Sequence, residues 1–424
     1  MFDKMDQSGG PQAGGAGGRT TYQALLAADA AWKAIRTAAP GAAGPAPTFV
    51  TESPAPLGAA ALQGADAFDA VVCGGTLGVF LAAALARQGY RVAVVERAEL
   101  RGRSQEWNIS RKELEELREL GLLTSEEIDA AIAIEFNPVR VGFHGSADVW
   151  TRDVLNLGVR PDTLVQTMRA KLEAAGGAVL DSTQLLGLEV HPDGVALQVS
   201  GPPPAASSGD GSTTSSNSSG GGGGGGSTRR VVARLVLDCM GHQSPIVRQI
   251  RWGVKPDGIC LVVGGCASGF PPEANTTADI ICTASDAEPL ASCGGPPLQL
   301  FWEAFPSSDS PDSRTTYMFT YSDAQPFRPS LVDMFEEYWR RLPQYQGLTE
   351  EAVEQLRFKR LLFAFFPTYK NSPLPPAFDR VLQVGDASGI QSPLSFGGFG
   401  ALTRHARRLI GALDDALACD ALSR

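Results

Sequence analysis

The chain has 424 residues, 43% hydrophobic and 19% charged, enough to fill two or three packed domains. A formal net charge of −10 leaves no basic field to hold a nucleic acid, and no run reaches the roughly 18 uninterrupted apolar residues of a membrane-spanning helix. Seven cysteines and four histidines are scattered without a CxxC pair, an HxxxH or an HExxH. The thiols therefore read as reduced, and no metal-ligand spacing is present.

Residues 1–66 are rich in alanine, glycine and proline and read as a disordered tail with one short helix, Thr21–Thr37. A targeting segment and a plain flexible tail both fit the composition. Asp3, Asp6, Asp29 and Glu52 stand against a standard transit peptide, which is poor in acids.

Phe68–Arg97 organises the rest of the chain. Phe68–Cys73 is a short valine-rich run, predicted as a buried parallel strand. Cys73-Gly74-Gly75-Thr76-Leu77-Gly78 then makes a glycine turn, Val79–Gln88 a helix stopped by Gly89, and Tyr90–Val95 a second strand closed by Glu96. This order suits a dinucleotide. Gly75 lets backbone approach a pyrophosphate, Gly78 lets helix and strand pack closely, and the helix N-terminus offers N–H groups to phosphate. Glu96 lies 21 residues beyond Gly75, the distance at which an acid reaches a ribose hydroxyl. Cys73 stands where such turns carry their first glycine, and a cysteine takes positive φ only at a cost, so an altered turn is expected.

Arg101–Asn108 comes next, a loop dense in Arg, Gln, Trp and Asn that is placed either to touch a bound nucleotide or to lie solvated. Ser110 with Glu113 and Thr124 with Glu127 form capping boxes for helices Arg111–Glu119 and Glu126–Ile134. Val139–Phe143 and Asp148–Thr151 read as paired strands, Pro161–Ala174 as a helix and Ala178–Leu180 as a third core strand. Leu185–Val190 and Val195–Val199 flank a His-Pro-Asp-Gly turn as a hairpin. Residues 201–228 are of low complexity, with glycines 220–226 consecutive, and read as a disordered insertion at a hairpin tip. Arg234–Arg248 holds a strand ending at Asp238, a turn at Gly241 and a helix begun by Ser244-Pro245. Ile259–Cys266, Ala278–Cys282, Leu298–Phe305 and Arg314–Tyr321 are strand-like without intervening helices, a mostly antiparallel layer. Leu331–Leu342 and Glu350–Leu356 are amphipathic helices. Leu361–Phe366 either packs a core or lines an apolar pocket. In Arg380–Gly400 a strand ends at Gly385-Asp386, and Gly397, Gly398 and Gly400 open the last helix. An acid there can bind a ribityl hydroxyl, and free N–H groups at the helix start can hold a developing anion.

Three motifs, CGGTLG…ER, DCMGHQS and GDASGIQSP, together resemble the FAD-dependent family of aromatic hydroxylases, geranylgeranyl reductases and lycopene cyclases. GRSQEWNISRKEL, FWEAFP, TTYMFTY and SPLSFGGFGALTRH add a likeness to plant and algal plastid proteins of lycopene cyclase-like type. The likeness spans Phe68–Ala418 apart from the insertion. It implies an α/β fold with a Rossmann-like FAD/NAD(P)-binding domain of the aromatic-hydroxylase type and an antiparallel-sheet substrate domain. The expected division is residues 1–66 as tail, and 67–137, 152–185, 230–255 and 375–418 as FAD-binding domain. Residues 138–151, 186–200 and 256–374 form the substrate domain, and 201–229 the insertion.

The resemblance also implies roles. Gly74, Gly75, Thr76, Leu77 and Gly78 would face the FAD pyrophosphate, and Glu96 the adenosine ribose. Arg97 and Arg103 would lie near the adenine or the flavin. Asp238 and Gly241 belong to the second nucleotide-contacting turn, Gly385 and Asp386 to the ribityl or pyrophosphate region, and Gly397 and Gly398 to the isoalloxazine edge. Met240 stands where hydroxylases carry Asp, so Asp238-x-x-Gly241 is nearer to the cyclase and reductase type. Phe301-Trp302-Glu303 is similar in part to the cyclases' acidic strand motif. Glu303 would be a proton donor if it points into an apolar pocket, and an ordinary strand residue if it points outward. The expected function is an FAD-dependent oxidoreductase acting on a hydrophobic small molecule of isoprenoid or carotenoid type, with NADPH as a donor the family admits. Alternatives are a cyclase-type isomerase using reduced FAD, and a non-catalytic escort protein, against which Gly75, Gly78, Glu96 and Asp386 stand. The resemblance further implies a chloroplast location and admits peripheral membrane contact.

Overall fold

The protein is described by a computed structural model covering residues 20–38, 44–201, 227–390 and 397–424. Residues 1–19, the bulk of the low-complexity insertion (202–226) and the QSPLSF part of the last motif (391–396) lie outside the described residues.

Two large sheets organise the chain. In the first, five strands run parallel in the order Ala178–Leu180, Val92–Val95, Ala67–Cys73, Thr228–Asp238, Val381–Gln383. Ala67–Cys73 comes earliest in the chain yet sits in the middle. Connections leave it in both directions, and a crevice opens at the carboxyl ends of the strands. Helices Gly75–Arg87, Pro161–Ala174 and Gly398–Ala418 cover one face, and their Leu85, Leu172 and Leu413 share one buried core with Val72 and Val94. A hairpin, Gln184–His191 and Gly194–Ser200, continues this sheet beside Thr228–Asp238, and Val50–Glu52 closes its edge. Ser200 pairs with Thr228, so the residues that flank the insertion meet at the end of two paired strands.

The second sheet runs Arg357–Thr368, Gly258–Ser268, Ser313–Ser322, Phe301–Pro306, Ala278–Cys282, Val139–Gly142, Val149–Thr151, antiparallel except where Ala278–Cys282 meets Val139–Gly142. Strand alternation divides its side chains. One face buries Trp302 and Met318 against Met334 and Tyr338 of helix Leu331–Gln346. The other carries Phe301, Phe305, Tyr317, Phe319 and Phe366. Leu361–Phe366 serves both faces: Phe363 and Phe365 pack toward Phe335 and Trp32, Ala364 and Phe366 toward the opposite side.

Three expectations are corrected. The N-terminal helix Thr21–Thr37 forms as expected, but it is docked on the fold and not part of a free tail. Thr20 and Gln23 close a capping box, and Leu25, Ala28, Trp32 and Ile35 form an apolar stripe that packs on the second sheet's core. Trp32 is fully buried and donates from Nε1 to the Pro329 carbonyl at 2.8 Å, and Asp29 accepts from the Leu331 N–H at 2.7 Å. Alanine-rich composition hides this stripe because alanine is neutral in it. Residues 186–200, expected in the substrate domain, belong to the first sheet through the register Val195↔Ala233. The helix expected to reach Ile134 ends at Ala131. Ile132–Glu135 instead pairs with Leu157–Val159, which also pairs with Trp107–Ile109.

No helix among the described residues is long and apolar enough to cross a membrane.

Candidate functional site

A cleft of about 280 Å³ opens at the carboxyl ends of the parallel strands, lined by Cys73, Gly74, Gly75, Thr76, Glu96, Arg97, Cys239 and Met240 among others. The turn is glycine-built for a local reason. Gly74 has φ +95°, and a Cβ there would lie 2.6 Å from the Cys239 carbonyl oxygen. The positive φ thus falls on Gly74, and Cys73 stays in its strand, paired with Val95 and Asp238, so the cysteine does not strain the turn. At Gly75 a Cβ would meet Leu100 Cδ1 at 2.3 Å; on that side the glycine makes room for Leu100, not for a ligand. Gly78 would meet Val72 Cγ1 at 2.6 Å, which is the close helix–strand packing expected of it.

The helix from Gly75 has no side-chain cap from its N-cap residue Gly74. Glu96 stands there instead: its Oε2 accepts from the Gly75 N–H at 2.8 Å and its Oε1 from the Ala98 N–H at 3.2 Å. A carboxylate at a helix N-terminus is favoured by the dipole. Arg97 lines the cleft without an ion pair among the described residues.

Two further turns meet this one. Gly241 and Gly385 have φ +71° and +62°, and a Cβ on Gly241 would lie 3.9 Å from Asp386 Cβ. On Gly398 it would lie 3.8 Å from Leu77 Cδ1 and 3.9 Å from Asp386 Oδ1. The starts of the first and last helices and the Gly385-Asp386 turn therefore converge. His242, which sequence reasoning passed over, joins them: its Nε2 is 3.8 Å from Asp386 Oδ2 and its ring meets Phe366 edge-on at 5.7 Å. Burial lowers the imidazole pKa and raises that of the carboxyl, and each group's charge opposes the other's shift.

Asp238 is placed differently from expectation. It is fully buried, accepting from Met240 N–H at 3.1 Å and from Ser244 Oγ at 2.6 Å, and burial pushes its carboxyl up to about 6. It shapes the turn and is not exposed to the cleft. The loop Arg101–Asn108 is likewise corrected in part. Gln105 and Glu106 are buried against the second sheet. Arg360 Nε donates to Gln105 Oε1 at 3.0 Å, and Glu106 Oε1 accepts from Ser307 Oγ, the Ser308 N–H and Ser308 Oγ at 3.2, 3.0 and 2.8 Å. The loop clamps the two sheets together, because a buried carboxylate needs several donors and the strand end supplies them. Arg103 is exposed, and its charge lowers the pKa of Tyr317 against the larger rise from burial.

Glu303 adopts the buried one of its two placements. It lies opposite Tyr317 in register, on the face that carries Phe301 and Phe319. It is 5% exposed, its Oε1 has no hydrogen-bond partner, and burial raises its carboxyl well above the usual range. Burial thus favours the protonated form of this carboxyl. Glu303 does not line the cleft itself. The two regions touch through His242 on Phe366 and through the Gln105–Glu106 clamp.

No family model and no curated protein matched the sequence. Solved structures did. A geranylgeranyl bacteriochlorophyll reductase-like protein from Thermoplasma acidophilum is 15% identical with a TM-score of 0.60, over 84% of this chain and 80% of that one. A flavoprotein/dehydrogenase from Cytophaga hutchinsonii is 14% identical with a TM-score of 0.57, over 82% and 79%. The halogenase PltM in complex with phloroglucinol and FAD is 14% identical with a TM-score of 0.57, over 84% and 71%. At these identities the likeness shows the fold: a Rossmann-like α/β domain of the FAD-binding flavoprotein type joined to a largely antiparallel sheet.

Proposed function

We propose that the chain binds FAD in this cleft and acts as an oxidoreductase on a hydrophobic small molecule. The observation that carries this is the convergence of three chain-distant turns, Gly74–Gly78, Gly385-Asp386 and Gly397-Gly398, at the carboxyl ends of parallel strands. The residues suit the cofactor. The first helix offers N–H groups and its positive end to a pyrophosphate, in a turn that glycine keeps free of side chains. Glu96 would accept from a ribose hydroxyl and Asp386 from a ribityl hydroxyl. Gly397-Gly398, where the last helix also lacks a side-chain cap, would meet the isoalloxazine edge. Asp238 and Gly241 would contribute by shaping their turn, Arg97 by offsetting phosphate charge, and Arg103, whose charge acts on Tyr317, by lying near the flavin. Bound FAD would supply two-electron redox chemistry.

The chain's own share is binding, exclusion of water and proton placement. The aromatic face around Phe301, Phe319 and Phe366 suits an apolar substrate, and Glu303, whose burial favours the protonated carboxyl, lies on that face. The likeness to the geranylgeranyl bacteriochlorophyll reductase-like protein supports an isoprenoid substrate, and the likeness to the halogenase PltM, solved with FAD, supports that cofactor. A plastid location remains part of the proposal, checked by imaging a fluorescent fusion of the full chain.

The deciding measurement is the visible spectrum of purified protein, followed under anaerobic NADPH. A flavin spectrum that bleaches supports the oxidoreductase and makes NADPH a donor. A bound flavin that stays oxidised calls for another donor. A colourless protein that takes up no added FAD overturns the proposal.

A further inference from the structure

Ten large hydrophobic side chains are exposed among the described residues, and four of them lie between positions 143 and 154: Phe143, Val149, Trp150 and Val154, exposed by 47, 62, 52 and 43%. All belong to the outermost hairpin of the second sheet, Val139–Gly142 with Val149–Thr151, or to its immediate flanks. Val149 and Trp150 are neighbours in a strand, so they point to opposite faces. Trp150 stands opposite Arg140, whose guanidinium is committed to Asp279 and Asp148. Val149 stands opposite Val141, a member of the apolar face that continues through Ile281 and Phe319 to Phe366, the face that carries Glu303. We infer that this hairpin dips into the surface of a lipid bilayer and presents the apolar face to a substrate dissolved there. The second half of this inference rests on the hydrophobic substrate proposed above.

Three observations favour lipid over a protein partner. Half of two aromatic and two aliphatic side chains comes to roughly 300–400 Å², well short of the ~800 Å² each side gives to a stable protein interface. The side chains project from both faces of one hairpin, which acyl chains can surround and a flat protein surface cannot. Charge at the tip is balanced, with Asp148 paired to Arg140 and Arg152 beside Asp153, so neutral headgroups suffice and anionic lipid is not required. The open edge of Val149–Thr151 keeps the insertion shallow. Its backbone groups must stay among headgroups and water, while Trp150 and Phe143 reach the acyl boundary.

The test is sedimentation of the full chain with phosphatidylcholine vesicles. The wild type is expected to bind with little change on adding salt. The double variant V149S/W150S should lower the bound fraction at least tenfold, and L186S, at an exposed leucine on the other sheet, should bind as wild type. A wild type that stays in the supernatant, or a double variant that binds unchanged, overturns the inference. So does a dimer in lipid-free solution that V149S/W150S dissolves, which would assign the hairpin to a second copy. The flavin spectrum separates this from the proposed function: a protein that binds vesicles but takes up no FAD sinks the enzyme and leaves the hairpin's role standing.

Discussion

At the cleft between Gly74 and Glu96, the groups that would meet a ligand are mainly backbone N–H groups and one carboxylate. On the inner face of the second sheet they are side chains, Glu303, Tyr317 and Phe319, drawn from two strands. The first is held by where glycine must be, the second by which way alternating residues point. The two regions should therefore fail differently. A change at the turn should break both cleft and fold, because main chain passes within contact of main chain. A change on the sheet face should alter chemistry and leave the fold standing.

The largest effect is expected at Gly74. Gly74→Val must adopt φ +95° and place a Cβ 2.6 Å from the Cys239 carbonyl. We expect a loss of about 2–4 kcal/mol in urea unfolding, and flavin content at background. Gly89 has φ +94° with nothing within 4 Å of its Cβ position, so Gly89→Ala carries the conformational penalty alone, about 1 kcal/mol. Equal costs at the two sites would remove close approach as the reason for Gly74.

Next comes the clamp that joins the regions. Glu106→Ala leaves Ser307 and Ser308 without their buried acceptor and removes a 3.9 Å ion pair from Arg360, which keeps Gln105 and Asp309, a cost of about 2–3 kcal/mol in the same assay. If the clamp also holds the second sheet in place over the cleft, substrate turnover should fall further than flavin content. Parallel losses of both would reduce the clamp to stability alone.

Much of the first region was legible and less of the second, for a physical reason. Strand, glycine turn, helix and acid are contiguous, and Ser110–Glu113 and Thr124–Glu127 form the two capping boxes read from spacing alone. Glu303 could be singled out but not oriented, since its burial depends on Tyr317 of the next strand and Cys260 of an earlier one, and spacing along its own strand does not say which face meets them. Gln105 and Glu106 looked like a solvated or ligand-touching loop because their donors, Ser307, Ser308 and Arg360, lie some two hundred or more residues on. His242 carried no signal beyond its place after a turn glycine. Trp32 was obscured by alanines, although its spacing from Leu25 of two helical turns was there to be read.

Glu303→Gln should cost the fold nothing and cost the chemistry heavily. The folded carboxyl has its pKa raised above the unfolded value of 4.5. Its contribution to stability is then complete below pH 4.5 and is lost as pH rises toward the folded value. Wild type and E303Q should melt together near pH 4, and E303Q should melt a few degrees higher at pH 7, at roughly 2–4 °C per kcal/mol. If Glu303 delivers a proton, turnover should fall by about 10²-fold with flavin content intact. An unchanged rate would make it a buried strand residue and nothing more.

The smallest effect is expected at Arg97, where the two regions' logics can be told apart most finely. Arg97 is exposed, lines the cleft and makes no ion pair among the described residues, so the apo fold gains little from it. Arg97→Ala should change stability by under about 0.5 kcal/mol. A cation beside a bound phosphate is worth more than that only while the phosphate is present. Flavin affinity should drop about 5–10-fold, and the drop should shrink as salt is raised and screening grows. Lysine keeps the charge without the planar fork. Arg97→Lys restoring affinity would mean a purely electrostatic contact, and failing to restore it would mean a bidentate one. An affinity that ignores both substitutions would place the anionic part of the ligand elsewhere, leaving the helix N-terminus and its backbone N–H groups to hold it unaided.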